Sequence, residues 1–187
     1  MKFINHYIQE KLVINKNTKA KVYTCQPKDK FELRKILEER LAKDKNANLN
    51  DIDVSQITDM SNEHFLHEYG LFEELDPHNI DISMWDISNV TNMKLMFYEC
   101  ENFNSDLSRW DVSSCQNMKN MFWNCEKFNS DLSRWDVSSC KDMTFMFKGC
   151  KKFNSDLNHW DVSNVKDMLF MFFYCESLKN KPSWYHE

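Results

Sequence analysis

Glycine, proline and long apolar runs are all scarce in this chain of 187 residues. Its 2 glycines and 3 prolines are too few for a flexible or low-complexity protein. No apolar run approaches the roughly 20 residues that a membrane-spanning helix needs, so no membrane insertion is expected. The net charge of −5 gives no electrostatic reason to expect nucleic acid or an anionic membrane surface as a partner.

The chain also lacks recognisable signals for export and for zinc. Its N-terminus has no unbroken apolar core of the secretory kind, which favours a cytoplasmic location. The seven cysteines include no CxxC pair, so a structural zinc site is not expected. Cys115 and Cys140 share a repeat position with Val90 and Val165, which indicates a small apolar slot and reduced, buried thiols. A disulfide between these two cysteines is the alternative, because parallel strands stack about 4.8 Å apart.

A 25-residue repeat fills the C-terminal half of the chain. A partial earlier copy, LNDIDVSQITDM, begins at residue 49. Its Asp53 precedes the equivalent Asp86 by 33 residues rather than 25, which predicts an insertion. A fixed period of this length predicts a stack in which each repeat buries its apolar side against its neighbours. The four full copies are 81–105, 106–130, 131–155 and 156–180.

The apolar pattern within one repeat predicts its local structure. Leu107, Trp110, Val112 and Cys115 match the strand signature of leucine-rich repeats, with Trp110 and Val112 inward and Asp111 outward. The fold class predicted is therefore α/β: a leucine-rich-repeat-like solenoid of short parallel strands and helical returns. The helical return is predicted from a spacing of three and four residues between Met118, Met121, Phe122 and Cys125.

Both ends of the solenoid are expected to carry caps. A helix is predicted over 28–43, with Asp29 and Glu32 as a capping box, and a hairpin is predicted before it. Trp184 and Tyr185 are expected to fold over the last apolar layer. The predicted organisation is an N-terminal cap over 1–48, the solenoid over 49–180 (partial first repeat 49–80, full repeats 81–180) and a C-terminal cap over 181–187.

The outward positions recur as columns of polar side chains and are the candidate partner-binding surface. One interpretation is that the acidic column receives a basic partner or a divalent cation. The other is that these Asp and Ser side chains bond to backbone N–H groups in turns, repeat after repeat. The candidate residues are Asp86, Asp111, Asp136 and Asp161, with Ser113, Ser138, Arg109, Arg134 and His159 beside them.

Aromatic residues on the predicted helical side form a second candidate surface. Tyr98, Trp123 and Phe173 share one repeat position, and Leu95 and Phe145 lie close to it in the repeat. Exposed aromatic rings are common anchors at protein interfaces. Packing between adjacent repeats explains the same residues equally well.

The sequence shows no recognisable catalytic motif. There is no glycine-rich phosphate loop, nucleophile elbow or Cys–His signature, so neither an enzyme nor a cofactor is expected. Glu63, His64, His67 and Glu68 crowd one segment, but their spacing fits no hydrolase or metalloenzyme motif. A metal-dependent enzyme built around Glu63 and Glu68 is kept as a separate hypothesis.

The phrase FNSDLSRWDVSSCQNMKNMF resembles the repeats of the BspA-like leucine-rich-repeat family of bacterial surface proteins. The WDVS core, the paired methionines, the MF pair and the trailing Cys all match over residues 81–180. The resemblance implies a right-handed solenoid, a surface or secreted location, and adhesion to host matrix or cell-surface proteins. We therefore expect a non-enzymatic, monomeric protein-binding module of the adhesion or host-interaction type. An intracellular interaction or regulatory scaffold is the alternative.

Overall fold

A computed structural model of the chain describes residues 22–62, 71–72 and 74–186. Most of the predicted N-terminal hairpin and all of the Glu63–Glu68 segment lie outside these residues. Cys25, at the end of the predicted hairpin, forms a parallel bridge with Ile52 in the partial first repeat.

One helix, α1, occurs in the described part of the chain, over Lys30–Leu41. The side chain of Asp29 caps it by accepting the N–H groups of Phe31 and Glu32 at 3.0 and 2.9 Å. Glu32 accepts the N–H of Lys28 at 3.1 Å, one residue earlier than a capping box requires. The predicted helix is confirmed with shorter bounds. None of the helices among the described residues has the length and apolarity that crossing a bilayer takes.

The predicted α/β solenoid, a right-handed leucine-rich-repeat-like stack of strands and helical returns, is wrong. Across residues 22–62, 71–72 and 74–186 the chain forms no strand, and parallel pairing is limited to single bridges such as Asn92 with Asn117. Since α1 is the only helix there, no helix follows any of the strands predicted within the repeats. The repeats instead stack as successive turns, joined by hydrogen bonds from one copy to the next.

Hydrogen bonds between copies explain why residues 118–125 and their counterparts in the other copies, which we call the Met–Phe segments, are not helical. An α-helix requires each N–H to reach the carbonyl four residues back. The N–H groups of Met118, Asn120, Phe122 and Asn124 donate instead to the next copy, and Asn120 and Asn124 have φ near 56° and 58°. The N–H of Met121 closes a turn onto the carbonyl of Met118 at 3.1 Å. The spacing of three and four residues thus comes from consecutive turns. The four acceptors in the next copy are the carbonyls of Asp142, Thr144, Met146 and Lys148.

Side-chain turns replace the predicted strand. In the second copy, Oδ1 of Asp106, Asp111 and Asn117 accepts the N–H two residues further on, at 2.9–3.0 Å. These are Asx turns, in which the side chain imitates a backbone turn. Each uses an N–H that a strand ladder would need, so the extended segments between them are too short to pair as strands.

The inward and outward faces of the repeat are as predicted. Trp110 and Val112 are 4% and 1% exposed, whereas Asp111 is exposed. The indole Nε1 of Trp110 donates to the carbonyl of Ile82 in the preceding copy at 3.0 Å. This bond satisfies a buried N–H and fixes the register between copies. Equivalent bonds are donated by Trp85, Trp135, Trp160 and Trp184.

The phenylalanine rings of the Met–Phe segments fill the core and pack against the buried Trp rings. Phe97, Phe122 and Phe147 stack along the repeats with ring centroids 5.6 Å apart, and Phe172 continues the column at 5.8 Å. Offset stacking at this separation is a favourable arrangement for aromatic pairs. Within the column, Phe122 and Phe147 each stack between the equivalent rings of the copies before and after them.

The two ends of the stack are covered differently. At the first end, α1 buries Leu33 and Leu37 in the core. At the other end, Trp184 stacks on Trp160 at 6.3 Å and Tyr185 packs edge-on against Phe172 at 5.0 Å. Residues 184–185 thus cover Trp160 and Phe172 of the last repeat.

Candidate binding surfaces

The acidic column of the repeats is solvent-exposed. We call the surface formed by the nine candidate residues the acidic face. Its acidic members also hold turns: Oδ1 of Asp111, Asp136 and Asp161 accepts the N–H of the Ser two residues on, each at 3.0 Å. The turn interpretation therefore accounts for one oxygen of each carboxylate. The four carboxylates of the column are those of Asp86, Asp111, Asp136 and Asp161, all exposed.

Neighbouring carboxylates in this column interact. Hydrogen bonds from Ser138 hold the pKa of Asp136 below its ordinary value, while the charge of Asp161 acts in the opposite direction. Hydrogen bonds from Ser163 likewise lower the pKa of Asp161. Asp136 and Asp161 are therefore ionised at neutral pH, and the repulsion between their charges remains on the surface.

The basic members of the acidic face lie beside a different set of carboxylates. Hydrogen bonds from Ser108 lower the pKa of Asp106, and the charge of Arg109 adds to that effect. Arg134 and His159 stand in the same relation to the turn-forming Asp131 and Asp156 of the following copies. Arg109, Arg134 and His159 are exposed, and none forms an ion pair with a described residue.

A shallow polar groove of about 770 Å³ runs next to the column. Ser113 and Ser138, both predicted site residues, line it together with Gln116, Lys141 and Lys166. Lys141 donates to Oε1 of Gln116 at 2.7 Å. The sequence prediction missed the two lysines, although each follows Cys140 or Val165 directly in the repeat. The acidic face therefore borders a strip with positive charge.

The predicted aromatic patch exists as a continuous row, the aromatic face. Tyr98, Trp123, Phe145, Phe170 and Phe173 contact one another in that order, with centroid separations of 5.6, 5.1, 5.7 and 5.7 Å. The first three rings are half-buried, and the last two are exposed. The rings therefore serve both predicted roles: they pack between adjacent copies, and they present an apolar surface that a partner could contact. Leu95, the other predicted member, is buried.

Lys148 lies within the aromatic face. Its Nζ is 4.0 Å from the ring centroid of Trp123 and 5.1 Å from that of Phe145. A cation over aromatic rings is attracted by their quadrupoles. In the repeat alignment Lys148 takes the position of Trp123 and Phe173, and this substitution is the sequence signal for the contact.

The cysteines are buried or half-buried, and all seven are free thiols. Burial raises the pKa of Cys115 to about 12 and that of Cys140 to about 11. The Sγ of Cys115 donates to the carbonyl of Asn117 at 3.4 Å. Because the thiolate is the nucleophile, thiols with such a high pKa are unreactive.

No group of three or more His, Cys, Asp or Glu side chains that could hold a metal ion occurs among the residues described. The Glu63–Glu68 segment lies outside them, so the metal-enzyme hypothesis stays a prediction. The acidic face provides exposed charges, and the aromatic face provides exposed apolar rings.

Comparison with known proteins matches the chain to a protein family. The model of the family described as "Mycoplasma protein of unknown function, DUF285" matches residues 66–185, which include the four full repeats. No curated protein and no solved structure matches the chain.

Proposed function

We infer, from the premise that this chain belongs to DUF285, the Mycoplasma family of unknown function, that it is a non-enzymatic protein-binding module. The observation that carries this proposal is the acidic face. Its carboxylates form an exposed column, and the exposed Arg109, Arg134 and His159 beside them have no ion-pair partner among the described residues.

The turns of this face can form without a charged side chain. Asn117 makes the same turn bond as Asp142, at 3.0 and 2.9 Å from its donor N–H, so an uncharged side chain serves a turn equally well. The charge of Asp111 and Asp136 is therefore available to a partner. A partner of complementary charge relieves the repulsion within the column, and such complementarity contributes to specificity and association rate.

The partner is proposed to be a host matrix or cell-surface protein. The resemblance of the WDVS repeats to BspA-like surface repeats supports this adhesion role. An intracellular interaction scaffold is the second candidate, and the free thiols favour it because disulfides are rare in reducing compartments. Protease shaving of intact source cells separates the two: release of the repeats from outside supports adhesion, and protection supports the scaffold.

The sharpest test of the acidic face neutralises charge without breaking turns. The Asp111→Asn/Asp136→Asn double variant keeps both turn acceptors and removes two exposed charges. A matched control is Asp142→Asn/Asp167→Asn, which removes two charges at a position where other copies already carry Asn92 and Asn117. Proteins retained by the immobilised wild-type chain are identified, and the purified partner is then titrated against each variant.

We expect the Asp111→Asn/Asp136→Asn variant to bind that partner at least tenfold more weakly, and the control to bind like the wild type. Raising the salt concentration should reduce the difference, because exposed charges are screened. Equal affinity of all three proteins would rule out the acidic face as the binding surface.

A further inference from the structure

The polar groove beside the acidic face runs between two rows of side chains. One row consists of the residues directly before the apolar Cys or Val of each copy, and the other of the residues directly after it. The second row is joined by backbone bonds: the N–H of Lys166 donates to the carbonyl of Lys141 at 2.8 Å, and that of Lys141 to the carbonyl of Gln116 at 2.9 Å. The groove therefore follows the axis of the stack, and all four full copies contribute to its lining.

Two serines in the middle copies open this groove. The first and fourth copies have asparagine at the same position, and Nδ2 of Asn164 donates to the carbonyl of Ser138 in the preceding copy at 2.8 Å. The shorter Ser139 makes no such bond to the equivalent carbonyl of Ser113, and its hydroxyl has no partner among the described residues. The same is true of the hydroxyl of Ser114, one copy earlier. Hydroxyl and carbonyl groups are therefore available inside the groove.

The two sides of the groove differ in charge. On one side Lys141 and Lys166 are exposed, and Lys141 is bonded to the neutral amide of Gln116 rather than to a carboxylate. On the other side lies the acidic face, where Oγ of Ser113 donates to Oδ1 of Asp111 at 2.6 Å. Among the described residues, no carboxylate lines the groove itself. A complementary ligand therefore carries negative charge along one edge and neutral polar groups along the other.

This arrangement discriminates between classes of ligand. A nucleic acid or a polyphosphate has an anionic group on every unit, and the neighbouring carboxylates repel such a ligand. An apolar peptide side chain finds no aromatic or aliphatic residue in the described lining. A sugar with an acidic substituent fits both sides. Its hydroxyl groups donate and accept hydrogen bonds, as the serine hydroxyls and the carbonyls require, and its anionic group accepts from the lysines.

We propose that the polar groove binds an acidic oligosaccharide, whose sulfate or carboxylate groups pair with Lys141 and Lys166 and whose hydroxyl groups bond to Ser114 and Ser139. Parallel-paired segments lie about 4.8 Å apart, so two lysines on neighbouring copies can contact one anionic group. This ligand class goes beyond the protein partner proposed above. The four side chains that carry it are not members of the acidic face.

End-labelled heparin and hyaluronan oligosaccharides are suitable probes, because heparin carries sulfate and carboxylate groups whereas hyaluronan carries carboxylate groups alone. Each is titrated with the full chain, with fluorescence anisotropy as the readout. Saturable binding of either probe supports the proposal, and their relative affinities identify the preferred anion. A neutral dextran oligosaccharide should not bind, and a labelled polyphosphate, which has charge without sugar, should bind at least tenfold more weakly.

Lys141→Gln/Lys166→Gln tests the ammonium groups. Glutamine already occupies this repeat position as Gln116, so the fold should tolerate the change. The matched control is Lys127→Gln/Lys152→Gln, which removes the same charge at a repeat position outside the groove. Like Lys141, Lys127 is bonded to a neutral amide. We expect at least tenfold weaker oligosaccharide binding for the groove variant and unchanged binding for the control.

Ser114→Asn/Ser139→Asn tests the groove without a change of charge. It gives the middle copies the asparagine of the outer copies, where Asn89 and Asn164 each donate to a carbonyl of the preceding copy. The two added amides should occupy the groove and bond to the carbonyls within it. At least tenfold weaker binding is expected, without a decrease in melting temperature.

Ser108→Asn/Ser133→Asn is the matched control for this variant and should bind like the wild type. It makes the same exchange at a position outside the groove, where the fourth copy carries Asn158.

Four results would overturn the proposal. They are absence of binding of both acidic oligosaccharides, equally tight binding of polyphosphate, wild-type affinity in a folded groove variant, and equal weakening in its matched control. Should one groove variant lower the melting temperature, the other decides. The Asp111→Asn/Asp136→Asn variant should bind the oligosaccharide at least as tightly as the wild type, because it removes neighbouring negative charge. Failure of the acidic face and failure of the polar groove are therefore separate results.

Discussion

The indole of Trp110 is tied to the backbone of Ile82, one repeat earlier, by a hydrogen bond of 3.0 Å from Nε1 to the carbonyl. The bond joins residues 28 apart in sequence and recurs along the stack. Apolar stacking alone would permit neighbouring copies to slide. The indole bond permits one register, in which each Trp reaches the carbonyl of the second residue of the preceding copy.

Replacing Trp110 separates its packing from its hydrogen bond. Trp110→Ala should cost about 3–5 kcal/mol of unfolding free energy, as expected for removal of a buried Trp. Trp110→Phe keeps a ring but leaves the Ile82 carbonyl without its donor, at a cost of about 1–3 kcal/mol. Denaturant unfolding measures both. A cost below 1 kcal/mol for Trp110→Ala would contradict the burial seen here.

A side chain at Gly149 should destabilise the fold. Its φ is 77°, and an added Cβ would lie 2.3 Å from Oδ1 and 3.3 Å from Cα of Asn124. Gly149→Ala should therefore destabilise the chain by about 1–2 kcal/mol from backbone conformation alone, with the contact adding to it. Asn124→Ala in the same chain removes the closer contact. A double variant no more stable than the additive expectation would show that the side chain of Asn124 is not the obstacle.

The turn-forming carboxylates should make the fold sensitive to acid. Hydrogen bonds lower the pKa of Asp136 and Asp161 in the folded chain, so their ionised forms stabilise it above the unfolded pKa of about 3.9. This stabilisation is lost as the pH falls from there through the lower folded pKa. Thermal melts between pH 7 and pH 2.5 should show stability decreasing below about pH 4. The Asp136→Asn/Asp161→Asn variant should show a smaller decrease, and an identical profile would refute this cause.

Cys115 and Cys140 should resist thiol reagents in the folded chain. Burial raises their pKa to about 12 and about 11, so almost no thiolate is present at pH 8. A chromogenic disulfide reagent should label neither of them in the folded chain at pH 8, and all seven cysteines after denaturation. Mass spectrometry of the labelled peptides assigns the sites. Fast modification of Cys115 in the native state would contradict the described burial.

The sequence predicted correctly which side chains are buried, but it did not predict the backbone conformation. Apolar periodicity placed Trp110 and Val112 inside because burial depends on side-chain character, which a repeat shows directly. The residue pattern around Asp111 did not distinguish a strand from an Asx turn, since the carboxylate points outward in both. The helical return failed for a related reason: consecutive turns and a helix both give spacings of three and four residues. What decided between them was the N–H bonding of Asn120 and Asn124 to the next copy.

The candidate surfaces, like the fold, were predicted from the sequence only in part. The acidic column and the aromatic row follow from counting repeat positions, so Asp111, Asp136 and Trp123 were found. The groove beside the acidic face was not predicted, because a lysine that follows Cys140 or Val165 does not show by itself that it lines a groove. Only the packing of neighbouring copies places Lys141 and Lys166 there.

The backbone bonds of the Met–Phe segments all run in one direction along the stack, which gives these segments an electrical direction. In each Met–Phe segment the N–H groups of alternate residues point towards the following copy and the accepting carbonyls of that copy point back, as for Phe97 with Met121 and Phe122 with Met146. Peptide dipoles aligned in this way add along the axis, as they do in a helix. The N–H groups of Gln116, Lys141 and Lys166 donate to the preceding copy instead. Their peptide dipoles therefore oppose those of the Met–Phe segments, and the two sides of each repeat have opposite electrical directions.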